Sequence, residues 1–269
     1  MTDATDATTD ATTTDATPGR LDGRVVIVTG GNGGIGLAMA DAMATAGADL
    51  VIWGRDATKN AAAVERLRRH GGRAEALAVD GADEAAVDAA FASSVERMGR
   101  VDSLFANAGV PGNGVPFWEQ SLAEWRRVMS VNLDGVFLCL RAAAAHMVAR
   151  GDGGSLVLVS STSAIHGAAG NEAYGTAKTG LLGLTRALAV ALARHRVRVN
   201  ALCPGWTLTD MARGGYENER FRTATLQRTP VRRWADPSEM GPAAVFLADP
   251  TQMFHTGDHL VVDGGYTVF

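Results

Sequence analysis

Tyr174 and Lys178 stand four residues apart in the stretch NEAYGTAKTG (171–180) of a 269-residue chain that has 25 basic residues but only two lysines, Lys59 and Lys178. On a helix, positions i and i+4 share a face, so the phenol and the ammonium would project together. A compact ammonium on a flexible stem can do what a planar, permanently charged guanidinium cannot. A free phenol, with a pKa of about 10, is a poor base near neutrality, and a neighbouring ammonium favours its phenolate. The pair therefore suits proton exchange with a substrate oxygen. Taken alone, it is better read as a solvated lysine beside a packed tyrosine, and the rest of the chain must decide.

A second chemical feature precedes it. The string TGGNGGIG, Thr29 to Gly36, follows an apolar run and leads into a helical pattern. Glycines there permit a tight turn and close backbone approach, and the helix N-terminus offers free N–H groups to a phosphate. The string reads as G-x-G-x-x-G from Gly31, or as T-G-x-x-x-G-x-G through Gly30, Gly34 and Gly36. Either register predicts a dinucleotide, with Ile35 in the same turn. Neither carries the Lys-Ser/Thr of an ATP-binding loop, which argues against phosphoryl transfer.

Both features need a scaffold, and the alternation along the chain supplies one. Seven short β-branched runs, at 24–29, 49–54, 73–79, 101–107, 154–160, 197–203 and 259–264, alternate with helical patterns at 35–47, 57–70, 83–98, 121–149, 173–195 and 236–248. Such alternation is the signature of a parallel sheet with crossover helices, and runs apolar at nearly every position suit strands covered on both faces. The expectation is an α/β protein, a single doubly wound Rossmann domain with a seven-stranded parallel sheet. Ligands should meet at the carboxyl ends of its strands.

With the loop, the Tyr-x-x-x-Lys pair and this order in place, the chain resembles the short-chain dehydrogenase/reductase family in its compact one-domain branch, over residues 22 to 269. DGAD after the third strand, ANAG (106–109), VNLDG (131–135), SSTSA (160–164), CPGWTLTDM (203–211) and VDGGY (262–266) carry the same resemblance. It implies hydride transfer between a nicotinamide cofactor and a ketone or secondary alcohol, with Tyr174 as general acid/base and Lys178 stabilising it while donating to the nicotinamide ribose. A serine thirteen residues before the tyrosine, here Ser161, would orient the carbonyl; Ser160 and Ser163 are adjacent candidates. Asn132, a poor interior helix residue by propensity, corresponds to a family position that distorts its helix and holds a water linking the lysine to solvent. Asp80 and Gly81 would meet the adenine, and Asn107, Ala108 and Gly109 the adenosine ribose. Pro204 and Gly205 would turn beneath the nicotinamide, with Thr207 and Thr209 on its carboxamide.

The second strand ends in VIWGRDATKN. NAD-preferring folds place an acidic residue about 20 positions past the glycines, whereas a nearby arginine accommodates a 2′-phosphate. Gly54 followed by Arg55, with Asn32 in reach, favours NADP(H); Asp56 keeps NAD(H) open. For the substrate, segments 110–118, 162–173 and 206–221 are the candidates. Trp118, Trp206, Tyr216 and Phe221 could line a pocket or pack a lid, and Asn171, Glu172 and His166 could read hydroxyls.

Composition narrows the remaining classes. The first nineteen residues form a Thr/Ala/Asp tract that should be disordered, leaving a domain at 20–269 with a substrate loop at about 206–230. Removing the tract's four aspartates leaves 25 acids against 25 bases, so nothing suggests a nucleic-acid surface. No signal peptide and no consecutive apolar run of ~18 residues is readable. A cytoplasmic protein without a membrane partner is the expectation, and the resemblance implies a homotetramer. Cys139 and Cys203 match no metal spacing and read as buried thiols. The six histidines form no metal set either, with His166 and His255 the two nearest to functional segments. A cofactor-binding regulator without catalysis, or an epimerase or dehalogenase on the same fold, are the competing classes; the intact Ser161, Tyr174, Lys178 and glycine loop speak against them.

Overall fold

The computed structural model describes residues 17–269. Its strands are β1 (Val25–Thr29), β2 (Asp49–Trp53), β3 (Ala74–Leu77), β4 (Ser103–Ala106), β5 (Gly154–Val159), β6 (Val197–Pro204) and β7 (His259–Val262). They form one seven-stranded parallel sheet in the order β3-β2-β1-β4-β5-β6-β7. Each observed strand begins and ends within two residues of its apolar run.

Period-two alternation divides the core between two layers. From β1, Val25 and Ile27 enter the layer shared with Val87 and Phe91 of α3 (Glu84–Met98), Leu140 and Met147 of α5 (Gly135–Arg150) and Leu181 of α6 (Glu172–Leu192). Val26 and Val28 enter the opposite layer, with Met39 and Met43 of α1 (Gly34–Thr45), Leu67 of α2 (Ala57–Arg68) and Leu247 of α9 (Gly241–Ala248). Each fully buried aliphatic side chain of this kind contributes ~1.5–3 kcal/mol of transfer free energy. With helices on both faces, the strand ends are where a ligand can enter among the described residues. The chain reverses direction across the sheet between β1 and β4, and that is the topological switch point.

One long element departs from simple helix geometry. Between α4 (Leu122–Met129) and α5, residues Ser130–Asp134 form a π turn, so the rod from Leu122 to Arg150 is continuous but locally widened. By length and composition alone this 29-residue rod, with a mean hydropathy of 1.4 over its most apolar window, could cross a membrane. In the fold its face of Val136, Cys139, Leu140, Ala143 and Met147 is buried in the domain core.

The segment after β6 holds two helices that the sequence pattern does not announce, α7 (Arg213–Glu217) and α8 (Glu219–Arg228). Gly214 and Gly215 lower helix propensity in the first, and α8 is mostly polar; Asn218 caps α8 by accepting from the Phe221 N–H at 3.0 Å. Residues 1–16 of the N-terminal tract lie outside the described residues. The chain is then anchored by the Gly19 N–H, which donates to Asp249 Oδ2 at 2.9 Å.

Candidate active site

At the switch point β1 and β4 part, and the glycine loop fills the gap. The Thr29 hydroxyl accepts from the backbone N–H groups of Asn107 (3.0 Å) and Ala108 (2.9 Å), while Asn107 Nδ2 donates to the Thr29 carbonyl at 2.9 Å. Gly36 sits so close beneath the loop that a Cβ would lie 2.2 Å from the Gly30 carbonyl oxygen. Helices α2, α3 and α4 close their first turns with the side chains of Asp56, Asp83 and Ser121. Helix α1 begins at Gly33 with no side-chain cap, leaving the N–H groups of Gly34, Ile35 and Gly36 without partners among the described residues. Free donors, a helix N-terminus and a backbone stripped of side chains fit a phosphate group.

Beside this cradle lies a cavity of about 210 Å³ lined by Gly30, Asn32, Arg55, Asp80, Gly81 and Gly109, among others. It gathers residues from β1, β2, β3 and β4 ends, the extent of an adenosine moiety. Asn32 Nδ2 donates to Asn60 Oδ1 (2.7 Å), and Asn60 Nδ2 donates to the Gly54 carbonyl (2.8 Å). This amide pair occupies the space over Gly54, where a Cβ would fall 2.2 Å from Asn32 Nδ2. Arg55 is exposed at the cavity mouth and forms no ion pair or hydrogen bond among the described residues. Asp56 is turned to its own helix, accepting from the Lys59 N–H at 3.0 Å. Asp80 similarly accepts from the Ala82 N–H at 3.1 Å, with its side chain on the cavity wall.

The second group of residues converges across the ends of β5 and β6. Ser161 caps the short 3-10 turn Thr162–Ala164, its Oγ accepting from the Ser163 N–H at 3.0 Å. Tyr174 lies on the first turn of α6, where Ser161 is near enough to favour its ionised form. Lys178, one turn on and only 2% exposed, places Nζ 5.5 Å from the Tyr174 ring centroid and donates to the Val159 carbonyl at 2.8 Å. Ser160 is the buried neighbour whose hydroxyl donates to the Lys178 carbonyl (2.8 Å), so it ties α6 to the end of β5. Ser161 is thus the serine brought to the tyrosine.

Burial acts on both ionisable groups. It raises the Tyr174 hydroxyl above its ordinary value, against the opposing influence of Ser161. It lowers Lys178 to about 8. The ammonium, expected to favour the phenolate, directs its hydrogen bond to the Val159 carbonyl, and burial is the largest influence on the phenol. Burial also pushes the thiols up, Cys139 to about 12 and Cys203 to about 11, so neither is a nucleophile.

Asn132 is fully buried in the π turn, and its amide is saturated. Nδ2 donates to the carbonyls of Val110 and Val128, each at 2.9 Å, and Oδ1 accepts from the Val110 N–H at 3.1 Å. It thereby fixes the strand-end loop after β4, where a Cβ on Gly109 would meet Oδ1 at 2.6 Å and Lys178 Nζ at 3.7 Å. The side chain does not reach Lys178 through its own atoms. Pro204 ends β6, and Gly205 continues it with an N–H to the Val262 carbonyl at 2.9 Å. Thr207 is buried with its hydroxyl donating to the Gly205 carbonyl, and Thr209 caps the next turn with its methyl side against Gly34.

Among the aromatic candidates, Trp206, Tyr216 and Phe221 gather about Trp234, which stacks on Trp206 at 5.0 Å between centroids. Trp118, 83% exposed, contributes no wall. Asn171 accepts from the Gly112 N–H at 2.9 Å, clipping the two loops together, and His255 packs on Phe246. Trp234, Thr29 and Asn60 are site residues that sequence reasoning did not single out. Thr29 opens the glycine motif, and a buried asparagine inside the DATKN helix start is a readable signal for Asn60; Trp234 offers none. A larger cavity of about 520 Å³ between α1 and the segment 208–213 holds none of Ser161, Tyr174 or Lys178. Its arginines Arg66 and Arg213 are already paired with Asp41 and Asp210, so it is not the reaction centre.

Comparison with known proteins agrees with this arrangement. A family model described as enoyl-(acyl carrier protein) reductase matches residues 30–267. Cis-4-hydroxycyclohexanecarboxylate dehydrogenase of Sinomonas cyclohexanicum is 40% identical over 245 residues, covering 91% of this chain and 96% of the relative. The 5-keto-D-gluconate 5-reductase of Escherichia coli K12 is 35% identical over 248 residues, covering 92% and 97%. A gluconate 5-dehydrogenase from Burkholderia cenocepacia J2315, solved with NADP and tartrate, superposes with a TM-score of 0.89 at 35% identity over 93% of this chain and 98% of that one.

The Gly36 contact yields a direct test. Gly36→Ala should weaken binding of reduced nicotinamide dinucleotide by more than about tenfold, because the methyl must displace the Gly30 carbonyl. Fluorescence titration measures it, with circular dichroism confirming the fold; undiminished affinity would remove the phosphate from this cradle.

Proposed function

The chain belongs to the short-chain dehydrogenase/reductase family, oxidoreductases acting on alcohol and carbonyl groups, and within it we propose an NADP(H)-linked enzyme that interconverts a ketone and a secondary alcohol. The observation that carries this reading is the convergence of Ser161, Tyr174 and Lys178 at the end of the sheet, beside a cradle that fits a dinucleotide. The nicotinamide, when bound, exchanges a hydride with the substrate carbon. The protein's residues then handle the oxygen. Ser161 donates to it and orients it, and Tyr174 supplies or removes its proton. Lys178 stabilises the charge that develops on the phenol. Asn132 keeps the loop after β4 and the π turn in register with Lys178. A pair of hydroxyl groups aimed at one reacting oxygen suits carbon–oxygen chemistry better than saturation of a carbon–carbon double bond, and the named dehydrogenase and reductase relatives support the same choice.

The remaining assignments follow the cavity. Gly30, Gly34, Ile35 and Gly36 would hold the pyrophosphate. Asp80 and Gly81 would meet the adenine, and Asn107, Ala108 and Gly109 the adenosine ribose. Pro204, Gly205, Thr207 and Thr209 would close over the nicotinamide end. The unpaired Arg55 and the amide-covered Gly54 support a 2′-phosphate in place of a free ribose hydroxyl.

The expected outcomes are specific. Tyr174→Phe should lower turnover ~10²–10⁴-fold with cofactor affinity retained, since a positioned acid contributes that much; a variant keeping a tenth of wild-type activity would exclude Tyr174 as the acid. Arg55→Ala should abolish a preference for NADPH over NADH in fluorescence titrations. Equal and tight NADH binding by wild type and variant would reverse the cofactor assignment.

The pH dependence has a definite sign. Ketone reduction needs Tyr174 protonated and Lys178 charged; the raised phenol meets the first condition throughout the physiological range, and Lys178 meets the second only below about 8. The kcat/KM for reduction should therefore be level at neutral pH and fall as pH rises through about 8. A profile flat to pH 9.5 would show that the Lys178 charge is not required.

A further inference from the structure

Three polar atoms near the reaction centre are buried and without a partner: His166 Nε2, Glu172 Oε2 and Trp206 Nε1. Burying such groups unpaired is costly, and a cluster of them marks a place where something else supplies the hydrogen bonds. They stand on the segments that leave the catalytic strands. His166 lies five residues past Ser161, Glu172 two before Tyr174, and Trp206 three past Cys203 at the end of β6. Tyr266 draws two of them together, its ring 5.0 Å from the His166 ring and 6.4 Å from Trp206. The same ring carries the half-buried Arg228 guanidinium at 4.4 Å from its centroid. Arg228 forms no ion pair among the described residues, although most arginines of this chain do.

The hydrogen-bond polarity of each group narrows what would satisfy them. Trp206 Nε1 can only donate, and Arg228 is a permanent cation, so these two groups around Tyr266 call for an acceptor bearing negative charge. His166 Nδ1 lies 3.1 Å from the Gly167 carbonyl, which can only accept, so Nδ1 carries a proton and Nε2 is the acceptor of the uncharged tautomer. Glu172 uses Oε1 to accept from the Gly170 N–H at 2.9 Å, leaving Oε2 as a second acceptor. Two acceptors require hydroxyl donors. Resting on the ketone/alcohol reading above, we propose that the substrate is a hydroxylated carboxylic acid: its carboxylate is read by Arg228 and Trp206, and a hydroxyl other than the reacting one by His166 and Glu172.

The test separates this inference from the reading beneath it. The Tyr174→Phe protein loaded with NADP⁺ is titrated calorimetrically with D-gluconate, with the uncharged D-glucitol, and with hexanoate, which lacks hydroxyls. Gluconate should bind at least about tenfold more tightly than either, the worth of one charge-assisted hydrogen bond. Arg228→Met and Trp206→Phe should each bring the gluconate-to-glucitol ratio toward one; a purely structural role would weaken both ligands alike and leave the ratio unchanged. Glucitol or hexanoate binding as well as gluconate, absence of gluconate binding, or a ratio that survives both substitutions overturns the proposal. Oxidation of a secondary alcohol by the wild-type protein with NADP⁺, lost in Tyr174→Phe, is scored separately and decides only the ketone/alcohol reading.

Discussion

The parting of β1 from β4 is the constraint on which the rest of the molecule depends. Where two parallel strands stop pairing and their helices leave to opposite faces, backbone donors and acceptors would be stranded at the bottom of a crevice. Thr29 and Asn107 resolve this with three short hydrogen bonds, and the glycine loop lies flat over them because Gly36 has no side chain. One geometric problem, closing the sheet at its switch point, thus creates the uncapped start of α1. The phosphate cradle is what remains after the strand ends are satisfied.

Asn132 performs an analogous task for the opposite half of the crevice. A helix that ran straight from Leu122 to Arg150 would keep every carbonyl in its own ladder, and the loop at Val110 would lose its anchor. The π turn frees the Val128 carbonyl to accept from the asparagine amide, which then satisfies both polar groups of Val110. Three hydrogen bonds of ~0.5–1.5 kcal/mol each offset the disturbed helix. The loop that results passes beside Lys178 without a Cβ at Gly109, so the lysine can be buried in a slot lined mainly by backbone. That burial is the physical reason its ammonium is easily discharged.

Much of this was legible in the sequence because it follows from local pattern. The seven strands read correctly since each is an apolar run bounded by polar turns, and burial on both faces leaves no alternation to misplace. The tyrosine and lysine were legible as an i, i+4 pair, and the family resemblance supplied the serine and the roles. Other features depend on contacts between distant residues. Trp206 and Trp234 are separated by 28 positions, and nothing local says that they stack. The α7–α8 pair lacks an apolar stripe. The polarity of His166 is set by a carbonyl whose direction only the folded turn defines. The upward shift on Tyr174 was not legible, because a neighbouring charge can be read from spacing whereas desolvation cannot.

The amide pair of Asn32 and Asn60 has a consequence for how this protein could change. Gly54 is the position at which a ribose-binding carboxylate would stand, yet any side chain there collides with an asparagine that is itself hydrogen-bonded to its neighbour. Introducing an acid at that position first requires the amide above it to be removed, and removal leaves Asn60 with an unmatched acceptor. The strand end is therefore subject to epistasis: a side chain at Gly54 is accommodated only as the Asn32–Asn60 pair gives way.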